Sequence, residues 1–79
     1  NMNTQSTYNG HKNRNFWNVS LWINNDECLH SIACNALENY NNDVSLAAQS
    51  IYCALNGEST PDGEPYSVSA IESAIEDLV

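Results

Sequence analysis

The chain has 79 residues, ten of them acidic and two basic, for a formal net charge of −8. That length holds one small domain, and no apolar run approaches the roughly 18 residues of a membrane span. From Asn15 to Val79 there is no lysine or arginine, which argues against a nucleic-acid-binding or anionic-membrane surface there, because both need basic groups to displace counterions.

Residues 1–12 read as a flexible N-terminal arm, with Asn1, which precedes a methionine, as a tag remnant. Asn9-Gly10 within it is a turn signal. Residues 13–79 form the expected single helical domain. No long apolar segment follows Lys12 and Arg14, so no signal peptide is expected and the chain reads as soluble and intracellular. Asn13 or Asn15 can cap the first helix, asparagine being a strong N-cap residue. The densest apolar run, Phe16-Trp17-Asn18-Val19-Ser20-Leu21-Trp22-Ile23, holds both tryptophans and the only phenylalanine. At about 100° per residue, Phe16, Val19, Trp22 and Ile23 share one broad arc, while Trp17 and Leu21 lie nearly opposite. A strand would place Trp17, Val19, Leu21 and Ile23 on one face, but Phe16 and Trp22 break that alternation and no second strand is available for pairing. Helix is therefore preferred. The large arc is expected to face the core, where a fully buried large side chain contributes about 1.5–3 kcal/mol. Trp17 and Leu21 are either covered by the arm and the last helix or form a contact surface.

Asn24-Asn25-Asp26-Glu27 is expected to stop this helix and start the next, with Asn24 as N-cap and Glu27 at capping-box spacing. Leu29, Ile32, Ala33, Ala36, Leu37 and Tyr40 then recur in i, i+3, i+4 register, the pattern of an amphipathic helix. Asn42 or Asp43 caps a third helix with Val44, Ala47, Ala48, Ile51, Ala54 and Leu55 inward. Gly57 stands where a left-handed residue is expected past its end. Two prolines and two turn glycines nearby mark residues 58–65 as a loop. Ser69-Ala70-Ile71-Glu72 repeats the capping-box pattern, opening a fourth helix. Its inward face is Val68, Ile71, Ala74, Ile75 and Leu78, with Glu72, Glu76 and Asp77 turned out. The expected fold is all-α, a compact bundle of about four short helices.

Chemistry is thinly supplied. There is no HExxH, GxSxG, glycine-rich phosphate loop or CxxC pair, so no catalytic residue, metal or cofactor is assigned and a non-enzymatic role is expected. Cys28, Cys34 and Cys53 form an odd set unlike a secreted disulfide scaffold, and read as small buried hydrophobes. On a helix Cys28 and Cys34 point about 120° apart, which disfavours zinc ligation with His30. Glu27 and His30, at i and i+3, read as an exposed pair near a helix start.

The acidic residues remain. Glu72 and Glu76 sit about 6 Å apart along a helix axis, with Asp77 adjacent. One strand of duplex DNA carries a charge every ~3.4 Å, so that helix alone is too sparse to copy DNA. Joined by Glu58, Asp62 and Glu64 from the preceding loop, it presents a partial imitation. These six are the candidate contacts to a partner with a basic surface. The plainer alternative is that acidity only keeps a small protein soluble. Trp17 and Leu21 are the candidate aromatic contact of a second kind of role, a homodimer or host-protein adaptor built on the Trp17/Trp22 helix.

Asn9-Gly10-His11-Lys12-Asn13 followed by Trp17-Asn18-Val19-Ser20-Leu21-Trp22-Ile23-Asn24-Asn25-Asp26-Glu27 resembles a group of small tailed-phage and mobile-element proteins. They share a block of the form NG-x-x-N…W-N-V-x-L-W-I-x-N-D-E. Val68 to Glu76 is similar, more weakly, to the terminal helix of that group, from which this chain departs in its cationless helical part. The resemblance implies a setting rather than a mechanism: the cytoplasm of a bacterial host, where small acidic phage proteins act by occluding host proteins. Anti-restriction and anti-CRISPR inhibitors, some of them DNA mimics, are of that type. The partner implied is a defence complex with a basic nucleic-acid-binding surface, which a carboxylate surface would complement. Direct nucleic-acid or membrane binding is not expected.

Overall fold

The computed structural model describes residues 8–79. They form four helices, α1 (Arg14–Asn25), α2 (Glu27–Asn39), α3 (Val44–Leu55) and α4 (Val68–Glu76). The bundle is all-α, as the apolar periodicity predicts. Of the arm expected over residues 1–12, residues 1–7 lie outside the described residues. Tyr8 to His11 is a tight turn closed by reciprocal backbone hydrogen bonds of 2.7 and 2.8 Å. Asn9 and Gly10 both take positive φ, 50° and 86°, the conformation an Asn-Gly turn is suited to supply.

Each helix begins at a side chain that accepts from the first turn. Asn13 accepts the Phe16 N–H at 2.9 Å and Asp43 the Leu46 N–H at 3.1 Å. Two of the expected caps are displaced. Asn24 does not cap α2, because α1 continues through Asn25, and the amides of Asn24 and Asn25 donate back to the carbonyls of Ser20 and Leu21 at 2.8 Å each. Asp26 leaves the helical region (φ −92°, ψ 122°), and its carboxylate accepts the Leu29 N–H. An anionic acceptor at the positive end of a helix dipole outcompetes the amide two residues earlier. Likewise Ser67, not Ser69, caps α4 by accepting the Ala70 N–H at 3.2 Å. At the end of α3 the left-handed residue is first Asn56 (φ 51°) and then Gly57 (φ 78°).

The core is aliphatic and small. Ile23, Ile51, Ile71, Ile75 and Val19 are its largest fully buried apolar residues, with Ala33, Ala36, Ala47, Ala48, Ala70 and Ala74 packed between them. Those alanines let the axes of α2, α3 and α4 approach closely. α1 packs against α2 and α4, and α3 against α2 and α4, so the four helices close a ring. The tryptophans and Phe16 are not the heart of it: all three are only half-buried, and Tyr66 is the aromatic residue of the buried cluster. Tyr40 and Ala54, expected inward, are exposed. So are Cys28, Cys34 and Cys53, expected to be buried. Each cysteine sits on its helix away from the buried stripe (Ala33, Ala36 and Leu37 on α2; Ala47, Ala48, Ile51 and Leu55 on α3).

Candidate interaction surface

Arg14, Asn18 and Trp22 stand at i, i+4 and i+8 on α1 and therefore line one stripe of it. The loop between α3 and α4 lies along that stripe. Thr60-Pro61-Asp62-Gly63 is a turn in which the Gly63 N–H donates to the Thr60 carbonyl at 2.8 Å, with proline and glycine where such a turn favours them. The turn aims Asp62 at α1. One carboxylate oxygen accepts from both the Asn18 amide and the Trp22 indole N–H, each at 2.9 Å. The Thr60 hydroxyl donates to the other end of the Asn18 amide at 2.5 Å and accepts the Glu64 N–H at 3.1 Å. Asn18 and Thr60 are both buried, so the bonds between them satisfy groups that would otherwise be desolvated without a partner. At the start of α1, Arg14 pairs with Glu64 at 2.5 Å. Asn15 donates to the Pro65 carbonyl at 2.8 Å and accepts from the Ser67 hydroxyl at 3.1 Å.

This clasp decides what two of the six candidate acids do. Asp62 and Glu64 are turned onto the protein's own first helix. The hydrogen bonds from Asn18 and then Trp22 hold the Asp62 carboxyl below the usual aspartate range, and the hydrogen bond to Glu64 raises Arg14 above the usual arginine value. Arg14 also amends the expectation of a cationless helical part, since it is the first residue of α1. Glu58, Glu76 and Asp77 are exposed and Glu72 is half-buried. Glu58 lies with the start of α4 and Glu76 and Asp77 with its end, about 13 Å along the axis. The six therefore do not converge on one spot. The α4 end instead meets the end of α2, where Glu38 and Leu78 line one groove. Neither helix carries a basic residue in its last turn.

The aromatic candidates divide as well. Trp17 is half-buried, with the Tyr8 ring at 4.8 Å between centroids. Leu21 is 39% exposed and shares a shallow groove with Trp17 and His11. Trp22 is tied to Asp62. His30 is half-buried beside Asp26 and Glu27, and its Nδ1 is enclosed with no hydrogen-bond partner. Among the described residues no three His, Cys, Asp or Glu side chains gather as an ion site would require. The residues that sequence reasoning missed are Asn15, Asn18 and Thr60. The available signal was Asn18, a polar residue set in the densest apolar run at four-residue spacing from Arg14 and Trp22.

No curated protein and no solved structure matches the chain. Residues 4–79 match the model of the Family of unknown function (DUF7249), and the chain belongs to that family.

Proposed function

We propose that the protein is a non-enzymatic inhibitor that lays its acidic surface on the basic nucleic-acid-binding site of a bacterial defence complex, a CRISPR effector first among them. The observation that carries this is unpaired charge. Ten carboxylates face two basic residues, and among the described residues Arg14–Glu64 is the one ion pair. Glu58, Glu72, Glu76 and Asp77 are the members of the candidate set with no cation beside them, whereas Asp62 and Glu64 support the clasp and act on the partner indirectly. The phage setting and the host cytoplasm rest on the resemblance of the Trp17–Glu27 block. A surface of this kind steers toward a basic groove and loses affinity as salt screens it.

The test is inhibition of a purified DNA-targeting CRISPR effector across a salt series, by the wild type and by the quadruple variant Glu58→Gln, Glu72→Gln, Glu76→Gln, Asp77→Asn. Inhibition that falls steeply with salt and is lost in the variant is the expected result. A fully active variant would sink the acidic-surface mechanism. A second reading, a hydrophobic contact module, draws on exposed Leu21 beside Trp17 in the His11 groove. Light scattering at increasing concentration separates it, since a dimer built there dissociates in a Leu21→Glu variant and does not respond to the acid substitutions.

A further inference from the structure

We infer that the cleft between the end of α3 and the start of α4 is a receptor for one arginine side chain of a basic partner. The cleft is shallow and open, about 410 Å³, and is lined by Tyr52, Gly57, Glu58, Pro65, Tyr66 and Val68. That volume lies within the range of small-ligand sites. Its chemistry is specific. The exposed Tyr52 ring stands at its edge, and a guanidinium stacks on such a face through both its charge and its flat π-system. One carboxylate, Glu58, stands at the wall and can accept the guanidinium fork. The α3 helix ends at this cleft with no basic residue in its last turn, so the negative end of its dipole is uncompensated there. The Tyr66 N–H donates to the Glu58 carbonyl at 3.4 Å, which holds the two residues side by side, and the Tyr66 hydroxyl is pushed up by burial and then by the negative charges of Asp26 and Glu58. No basic side chain lines the cleft.

Tyr52 is 44% exposed and Glu58 is exposed, so neither ring nor carboxylate is consumed by the core. Tyr66 is 5% exposed and fixed in the buried cluster. The arrangement is one accessible aromatic face and one accessible acid on a floor that the buried Tyr66 fixes. This assignment rests on the reading that the partner is basic, and refines it to one side chain at one cleft. It differs from the α4 acids, which act on a basic surface by charge alone.

The experiment is an amide NMR titration of the full chain with N-acetyl-arginine amide, with N-acetyl-lysine amide and N-acetyl-citrulline amide as the charged and neutral comparisons. Shifts confined to residues 52, 57–58 and 65–68 with the arginine amide are expected. Tyr52→Ala weakens that binding about two- to fivefold, and Glu58→Gln weakens it by a similar factor. Glu38→Gln removes the same charge at the opposite end of the molecule and leaves the affinity unchanged. Tyr66 is left intact to keep the fold, which unchanged wild-type peak positions elsewhere confirm in each variant. Equal shifts with citrulline amide, shifts spread over the whole surface, or an equal effect of Glu38→Gln would overturn the cleft, and equal binding of the lysine amide would overturn its assignment to arginine. The effector assay above uses no free amino acid, so its failure with a positive titration would leave the cleft standing without the inhibitor role.

Discussion

The Asp62 carboxylate closes the loop between α3 and α4 onto α1 by accepting from the Asn18 amide and the Trp22 indole at 2.9 Å each. Its two donors, Asn18 and Trp22, lie 44 and 40 positions away, and no local pattern links a turn aspartate to a helix that far back. What the sequence could show was that Asn18 interrupts an apolar helix, a conflict that asks for a buried partner. The latch has a testable pH signature. Because the folded-state carboxyl is held below its ordinary value, its contribution is full above the ordinary aspartate range and is lost as pH falls through the folded value. Protonation removes the charge that strengthens the indole hydrogen bond. In a Trp17→Phe background, so that Trp22 is the single indole, fluorescence followed from pH 6 to pH 2 should show an acid step. Asp62→Asn should remove the step while leaving the fold at neutral pH. A step of the same size in both proteins would mean that the indole does not report Asp62.

At the scale of elements, α2, α3 and α4 were legible from apolar stripes of period 3.6, and α1 because Phe16 and Trp22 break a strand's alternation and no second strand could pair with it. The caps of α1 and α3 fall on expected residues, Asn13 and Asp43, whereas those of α2 and α4 differ by two residues because two competent caps stand close together, Asn24 with Asp26 and Ser69 with Ser67. Local spacing cannot rank such neighbours; the backbone angles that break the helix do. The two candidates at the α1–α2 junction separate cleanly by mutation. Asp26→Ala should lower the unfolding free energy by about 1 kcal/mol, the usual loss of a capping acceptor. Asn24→Ala should stay within about 0.5 kcal/mol of wild type, because Asn24 sits in the last turn of α1, where alanine is the better helix former. Urea unfolding monitored by circular dichroism measures both. If Asn24→Ala were the costlier change, the junction would be capped as the sequence pattern first suggested. The exposed cysteines follow from the same scale: a residue type often found buried yields to its position off the stripe.

Across the whole molecule the acids divide: Asp26, Glu27 and Asp43 stand at helix starts, where negative charge is favourable, and others are placed against stability. The net charge is −8, and compaction brings carboxylates together with one ion pair among the described residues to offset them. Glu38, Glu76 and Asp77 lie at or near the C-terminal ends of α2 and α4, where negative charge opposes the helix dipole. A chain that needed acidity only for solubility would gain by moving those acids to helix starts, where the same net charge is stabilising. Two consequences follow, and their combination is diagnostic. Raising sodium chloride from low concentration to about 0.5 M shortens the screening length several-fold and should raise Tm by a few degrees. Asp77→Lys should raise Tm further at low salt, because it removes a repulsive charge and supplies a favourable one at the end of α4. If the acids serve partner binding, the same substitution must weaken inhibition of the effector while it stabilises the free protein. If they are incidental, stability rises with no loss of inhibition. Thermal unfolding and the inhibition assay on a single variant thus decide whether the unfavourable placement of charge is retained for function. A fall in Tm on adding salt, or on Asp77→Lys, would show that repulsion is not what the acids contribute to the fold, and would remove the premise of the comparison.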